Sequence, residues 1–161
     1  ASFCSGGDYL SLLLYSLVCN GEVMLRAIVS LGSNIGDRAD YLKRAIENLS
    51  QLPDTRLITV SSVIETEPVG VPEEFTEMKF LNQVAVFETD LSAHEFSDRM
   101  HSIEDNMGRV RVVRNGPRTI DIDLIDFGGT KMDTPELTLP HPRAKERDFV
   151  LAPLAELGIA L

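Results

Sequence analysis

The sequence predicts an α+β domain in which the chain runs strand, helix, strand, strand, helix, strand. Two segments repeat apolar residues at the spacing of a helix surface, and four segments are rich in β-branched and aromatic residues. Turn and capping residues separate these segments. The chain has 161 residues without an internal repeat or a long linker, so we expect one folded domain.

The first half of the chain supplies the first three elements. Residues 27–31, AIVSL, predict a strand that runs into a GSNIG turn. A helix is expected from Asp37, because its carboxylate can accept hydrogen bonds from first-turn N–H groups. The apolar face of this helix consists of Leu42, Ala45, Ile46 and Leu49. Residues 56–66 are β-rich and predict a second strand.

The second half of the chain supplies a strand, a helix and a strand. Residues 79–90 predict a strand with one face formed by Phe80, Asn82, Val84 and Val86. Ser92 and Glu95 form a capping box for a helix that we expect to stop at Gly108. Residues 116–127, GPRTIDIDLIDF, predict the fourth strand.

The resulting order, β-α-β-β-α-β, is the ferredoxin-like pattern, in which helices pack on one face of an antiparallel sheet. Extra elements follow it, namely an extended LTLPHP segment and a final helical segment, FVLAPLAEL. Because many unrelated proteins share this pattern, the function has to be argued from particular residues.

Composition limits the possible partners. The formal net charge is -10, which disfavours sequence-independent nucleic-acid binding through lysine and arginine. The apolar run at residues 9–19 is too short to cross a bilayer. The two cysteines, Cys4 and Cys19, leave the body of the chain without a disulfide framework or a zinc cluster. The cysteine count also suits a reducing cytosol. We expect a monomer or weak dimer that binds neither nucleic acid nor membrane.

Residues 1–23 differ in character from the well-patterned sequence that begins at Met24. One interpretation is a cloning remnant or upstream translated sequence ahead of a true start at Met24. The other is a short extra helix or strand that packs on the domain or mediates dimerisation. We therefore divide the chain into an atypical extension, 1–23, and a domain, 24–161.

Two aspartates interrupt the apolar pattern of the fourth strand. Since side chains alternate along a strand, Asp121 and Asp123 lie side by side, on the face away from Ile120, Ile122 and Leu124. Neighbouring carboxylates repel each other, and a divalent cation removes that repulsion. Mg²⁺ binds few carboxylates and fills its other positions with water or phosphate oxygens. The alternative is a solvated face with two ordinary carboxylates.

The segment before these aspartates favours the metal interpretation. Residues 107–118 contain no acidic residue and four arginines: Arg109, Arg111, Arg114 and Arg118. The guanidinium fork matches pairs of phosphate oxygens, and Gly108 and Gly116 allow the segment to move. Because no Walker A sequence is present, we expect side chains and metal to hold a polyphosphate.

A third cationic segment, LPHPRAKERDF, contains His141, Arg143, Lys145 and Arg147. These side chains could contact phosphate or ribose. For the lone histidine, a structural role is the alternative.

Five stretches resemble, in order, the 6-hydroxymethyl-7,8-dihydropterin pyrophosphokinases of folate biosynthesis. They are SLGSNIGDR, SSVIETEPVG, FLNQVAVFET, GRVR…GPRTIDIDL and LPHPR..ERDFVLAPL. The resemblance implies a ferredoxin-like α+β fold. It also implies transfer of the β,γ-pyrophosphate of ATP to the hydroxymethyl oxygen of the pterin, with release of AMP and with two Mg²⁺ ions.

The resemblance also implies roles for residues on the phosphate side of the site. Asp121 and Asp123 match the metal ligands, while Arg109 and Arg118 match arginines that engage the transferred phosphates. The remaining nucleotide-side matches are Glu104, Arg111, Arg114, Thr138, His141 and Arg147.

On the pterin side, Asn82, Thr66 and the backbone near Val69 match residues that read the edge of the ring. Phe80 and Phe149 match an aromatic pair that sandwiches it. A flat polar heterocycle does require two apolar faces and a few fixed polar groups.

Two other functions remain open at this point. A palm-type nucleotidyl or cyclase domain shares the fold pattern but would need a third carboxylate on a neighbouring strand and a basic groove. A regulatory domain that binds a small molecule would not need the arginine segment and the aspartate pair together.

Overall fold

The computed structural model describes residues 17–19, 22–68, 72–75, 77–108 and 119–161. Its strands are β1 (Leu17–Cys19), β2 (Glu22–Ser33), β3 (Thr55–Val60), β4 (Ile64–Thr66), β5 (Phe80–Thr89), β6 (Asp121–Phe127), β7 (Met132–Asp133) and β8 (Thr138–Leu139). Its α-helices are α1 (Arg38–Ser50), α2 (Ala93–Asn106) and α3 (Asp148–Glu156). Short 3₁₀ turns occupy Glu73–Phe75 and Ala144–Glu146.

The main sheet is antiparallel and has the strand order β6, β2, β5, β3, with β4 also paired to β5. Numbered along the β-α-β-β-α-β core, this order is 4-1-3-2, so the predicted ferredoxin-like fold is confirmed. β1 pairs with the beginning of β2, and β7 and β8 form a separate two-stranded ribbon.

Helices cover both faces of the sheet. α1 and α2 lie on one face and bury a core that includes Leu31, Leu42, Leu49, Phe87, Phe96 and Phe127. α3 covers the other face with a smaller core of Ile28, Val84, Val86, Ile125, Val150 and Leu154. The two core helices thus share one face, as predicted, while the extra helix lies opposite them. The central strand β2 is therefore buried on both of its faces.

The predicted helix boundaries are set by local hydrogen bonds. Asp37 caps α1 by accepting from the Asp40 N–H at 3.1 Å, and Ser92 caps α2 by accepting from the Glu95 N–H at 3.1 Å. Gly108 follows the end of α2 with a φ of 81°, in the left-handed region that glycine adopts without strain. The caps at Asp37 and Ser92 and the stop at Gly108 are confirmed, while the return bond from Glu95 in the capping box stays a prediction.

The single strand predicted for residues 56–66 is wrong, because residues 61–63 interrupt it and leave β3 and β4. Ser61 explains the break. Its N–H donates to the Val84 carbonyl at 2.9 Å, and its hydroxyl accepts the Val84 N–H at 2.9 Å. A side chain thus replaces one backbone partner of β5. Ser62 in turn donates through its hydroxyl to the Glu156 carboxylate at 2.7 Å.

The first core strand is longer than predicted, because β2 begins at Glu22 rather than near Ala27. It therefore crosses the proposed boundary at Met24 between extension and domain. That boundary stays a prediction. No helix among the described residues has the length and apolar character needed to cross a membrane.

The cap at Ser92 gives a prediction for stability. Ser92→Ala should lower the free energy of unfolding by about 1 kcal/mol, because the Glu95 N–H loses its acceptor. Ser102→Ala is the matched control. Ser102 is exposed on the same helix and donates to the Asp98 carbonyl, so alanine there should leave stability unchanged or slightly higher. Urea denaturation measures both variants, and equal losses would contradict the capping role.

Candidate active site

The candidate site crosses the main sheet where β2 ends and where β5 and β6 begin, on the face that α3 covers. In the register, Asn82 of β5 and Asp121 of β6 both lie opposite Gly32 of β2. We call these three residues the site row. Because neighbouring strands are about 4.8 Å apart, the backbones of Asn82 and Asp121 are separated by roughly 10 Å.

The two aspartates occupy neighbouring rows of the edge strand. Asp123 lies opposite Ser30, two residues along β2 from Gly32. Ile122 points into the core beneath α1 and α2, so the carboxylates of Asp121 and Asp123 face the other way. Both side chains are half-buried, and Oδ2 of Asp123 lies 3.5 Å from a guanidinium nitrogen of Arg147. The predicted side-by-side placement is confirmed.

This donor set suits a cation that needs few protein ligands. Within the described ranges, no group of three or more His, Cys, Asp or Glu side chains is arranged to hold a metal. Two carboxylates with solvent access fit Mg²⁺, which completes its shell with water and phosphate oxygens. Asp121 and Asp123 are therefore the residues that could hold magnesium here.

Glu104 supports the aspartate strand from the interior. Its side chain has no exposed surface, and Oε2 accepts the Ile122 N–H at 3.1 Å. Oε1 lies 3.0 Å from Nδ1 of His101, which provides a second partner for the buried carboxylate. Since Ile122 separates the two aspartates, Glu104 fixes the backbone between them. The nucleotide contact expected for Glu104 stays a prediction.

His141 is oriented by backbone groups on both sides. It follows a cis Leu139–Pro140 peptide bond, and its own N–H donates to the Ile125 carbonyl at 2.8 Å. The Arg143 N–H lies 3.2 Å from Nδ1, which makes Nδ1 an acceptor and leaves the ring proton on Nε2. Burial lowers the pKa of His141, and the charges of Arg147 and Arg143 lower it further against the opposing effect of Asp121.

Arg147 connects the phosphate side of the site to an aromatic ring. It stands at the N-terminus of α3, with its guanidinium carbon 5.4 Å from the centre of the Phe149 ring. The same guanidinium group approaches Asp123, so one cation contacts both a candidate metal ligand and a candidate pterin residue. Thr138, on β8, pairs with Asp133, and β8 lies against β6.

The other end of the site row carries the candidate pterin residues. Asn82 is only 4% exposed, and its side-chain amide donates to the hydroxyl of Thr66 at 2.5 Å. Thr66 lies opposite Phe80 in the pairing of β4 with β5. Phe80 and Phe149 are both partly buried, on β5 and α3. The structure thus brings Asn82, Thr66 and Phe80 together.

A model of the family described as 7,8-dihydro-6-hydroxymethylpterin-pyrophosphokinase (HPPK) matches residues 28–159, which include every residue of the site row. The chain belongs to this family. It is 44% identical over 131 residues to the 2-amino-4-hydroxy-6-hydroxymethyldihydropteridine pyrophosphokinase of Bacillus subtilis, covering 81% of this chain and 77% of that protein. The protein of the same name from Pseudomonas aeruginosa is 39% identical, over 83% of this chain and 80% of its own length.

Longer relatives contain a similar region. The mitochondrial folate synthesis bifunctional protein of Pisum sativum is 34% identical over 96% of this chain and 31% of its own length. A crystal structure of HPPK-DHPS in complex with substrates gives a TM-score of 0.62 at 14% identity, covering 83% of this chain and 40% of that one. At this identity the likeness concerns the fold alone. Membership of the HPPK family decides against the palm-type and regulatory interpretations.

Some of the residues implied by the HPPK resemblance lie outside the described part of the chain. They are Val69, Arg109, Arg111, Arg114 and Arg118. Their proposed roles stay predictions.

Sequence reasoning missed Arg38, which joins α1 to the pterin side of the sheet. Its guanidinium group donates to the Lys79 carbonyl at 2.9 Å and to the Glu65 carboxylate at 3.0 Å. Arg38 therefore links the end of β4 that carries Thr66 to the beginning of β5, where Phe80 lies. The available signal is its place at the end of SLGSNIGDR, a stretch that predicts a turn and a helix cap and that also carries the family resemblance.

The environment of His141 gives a prediction for its titration. NMR titration should give His141 a pKa below 6.5. Arg147→Gln should raise that pKa, because a neighbouring positive charge is removed, while Asp121→Asn should lower it further. Below pH about 6.5 the unfolded chain takes up a proton that the folded state resists, so this group's contribution to stability should fall there. Arg44→Gln is the control, because Arg44 is exposed on α1 and its replacement should leave the pKa of His141 unchanged. A pKa above 6.5 for His141 in the unmodified chain would contradict this account.

Proposed function

We propose that this chain transfers the β,γ-pyrophosphate of ATP to the hydroxymethyl oxygen of 6-hydroxymethyl-7,8-dihydropterin and releases AMP, as a step of cytoplasmic folate biosynthesis. Family membership supports the reaction. The observation that carries the proposal is the site row, in which a buried amide and a carboxylate flank Gly32 on one face of the sheet. A pterin read by Asn82 would reach from β5 towards the aspartates of β6.

In the proposed reaction, the hydroxymethyl oxygen attacks the β-phosphorus in line. A bond forms between that oxygen and phosphorus, and the bond from phosphorus to the α,β-bridging oxygen breaks. AMP leaves with the electron pair, and the hydroxyl proton passes to solvent. Because such transfers depend mainly on positioning and charge stabilisation, no strongly basic side chain is required.

Asp121 and Asp123 would hold the metal. Two Mg²⁺ ions bound there would supply counter-charge to the polyphosphate and acidify the attacking hydroxyl. Glu104 keeps the two carboxylates in place by binding the peptide N–H between them. Arg147 contacts Asp123 in the described structure, and we propose that it turns its charge to the nucleotide when Asp123 takes up metal.

The remaining phosphate contacts would come from the arginines that precede β6 in the sequence and from His141 and Thr138. We propose that Arg109 and Arg118 engage the transferred phosphates, with Arg111 and Arg114 assisting them. The lowered pKa of His141 favours the neutral ring, and its Nε2–H would then donate a hydrogen bond without adding charge. Thr138, on β8, would complete the proposed nucleotide contacts.

The pterin would occupy a slot between aromatic rings. We propose that Phe80 and Phe149 cover the two faces of the ring, while Asn82, Thr66 and the backbone near Val69 bind its polar edge. The hydrogen bond from Asn82 to Thr66 supports this assignment, because it holds both groups in a fixed orientation before a ligand arrives. The Arg147 charge over Phe149 also keeps that ring in place.

The first test measures AMP formation from ATP, Mg²⁺ and the pterin alcohol. Asp121→Asn should reduce turnover by at least about 100-fold, because the polyphosphate loses part of its counter-charge in the transition state. Asp133→Asn removes a charge from exposed β7 and should retain normal turnover. Normal Mg²⁺-dependent turnover in Asp121→Asn would refute the metal assignment.

The second test separates the two substrates. Asn82→Ala should weaken pterin binding by ~1–3 kcal/mol, because polar groups on the ring edge lose their partner in a buried slot. Binding of a non-hydrolysable ATP analogue with Mg²⁺ should barely change. Gln83→Ala is the matched control, since the neighbouring residue faces the other side of β5 and donates to the Ser61 carbonyl. Titration calorimetry gives both affinities, and a loss confined to the ATP analogue would reverse the assignment of the pocket.

A further inference from the structure

Gly32 has no backbone reason to be glycine. The glycines with left-handed φ among the described residues are Gly36, Gly108, Gly128, Gly129 and Gly158, so Gly32 has a conformation that other residues adopt readily. Glycine inside a strand costs conformational entropy and contributes no packing. Its place inside the buried strand β2, one residue before the strand ends, therefore points to a need for space.

Two candidate pterin residues fill that space. A Cβ atom at Gly32 would lie 3.1 Å from Oδ1 of Asn82 and 3.5 Å from Cδ1 of Phe80. The first distance is shorter than ordinary van der Waals contact, whereas the second is an ordinary contact. A side chain at position 32 would therefore press first on the Asn82 amide.

The Asn82 amide has little freedom to retreat. Its nitrogen donates to the Thr66 hydroxyl at 2.5 Å, and the residue is 4% exposed. Thr66 is itself held by the pairing of β4 with β5. A displacement of a few tenths of an ångström at Oδ1 must therefore turn the amide or lengthen its bond to Thr66.

We propose that Gly32 is a positioning residue for the pterin substrate, an inference that rests on the proposed function. The absent side chain leaves room beside Gly32 for the Asn82 amide, in the orientation that Thr66 fixes. Gly32 has no such relation to the nucleotide, because the two atoms that its Cβ would meet first belong to Asn82 and Phe80. A side chain at this position should thus act on one substrate only.

The test compares Gly32→Ala and Gly32→Val by calorimetric titration with the pterin alcohol and, separately, with a non-hydrolysable ATP analogue and Mg²⁺. We expect the Kd for the pterin to rise about tenfold in Gly32→Ala and further in Gly32→Val, as a polar contact in a buried slot is lost. The Kd for the ATP analogue should stay within about twofold. The unfolding temperature of Gly32→Ala should change little, because the conformational entropy that alanine saves relative to glycine opposes the cost of displacing the Asn82 amide.

The double variant Gly32→Ala/Asn82→Ala tests whether Gly32→Ala weakens pterin binding through the Asn82 amide. If Gly32 acts through the amide, adding Gly32→Ala to Asn82→Ala should change pterin affinity much less than it does in the parent chain. An undiminished effect in the Asn82→Ala background would overturn the proposal. So would normal pterin affinity in Gly32→Ala, or an equal loss for both ligands.

Failure of this inference is distinguishable from failure of the proposed function. If the unmodified chain binds no pterin alcohol and forms no AMP, the proposed function is wrong, and this inference falls with it. If the unmodified chain binds the pterin and transfers pyrophosphate while Gly32→Ala behaves identically, the positioning role alone is wrong.

Discussion

The register of β2 with its two neighbours is the constraint on which the site depends. β2 pairs with β5 on one side and β6 on the other, so a single position, Gly32, aligns Asn82 with Asp121. A shift of one residue in either pairing would turn one of these side chains into the core beneath α1 and α2. That shift is opposed because β2 buries apolar side chains on both faces. The two apolar cores therefore fix the geometry of the polar site, although the residues of the site row belong to neither core.

Edge strand β6 needs additional support, because only β2 pairs with its aspartate-bearing half among the described strands. Glu104 supplies that support from α2 by accepting the Ile122 N–H. The opposite end of the site receives comparable support from Arg38, which binds both β4 and the residue before β5. In each case a charged side chain from a helix fixes a strand end by bonding to the chain beside functional residues. Rigid elements on both sides are what substrate positioning requires.

The features that the sequence could predict are those governed by near neighbours. The alternation of side chains along a strand is enough to place Asp121 beside Asp123 and Asn82 beside Val84. The residue types just before each helix are enough to predict the caps at Asp37 and Ser92. The missed features join residues far apart in the chain. The Ser61 interruption depends on Val84, and the positions of Glu104 and Arg38 depend on Ile122 and Lys79. No local pattern encodes such pairs, because each forms only after the sheet brings the strands together.

Charge poses a separate problem, since a chain with net charge -10 must bind a polyphosphate. Because the net charge of the chain is negative, it does not attract a polyphosphate over long distances. The cationic side chains therefore have to be concentrated near the site. The surroundings of His141 show part of that concentration. Burial is the largest cause of its lowered pKa, and Arg147 and Arg143 lower that pKa further against the opposing effect of Asp121. Two cations thus lie close to a candidate metal ligand, and metal bound by Asp121 and Asp123 would add more positive charge there. A chain with a negative net charge can therefore still offer cationic groups where the proposed polyphosphate would lie.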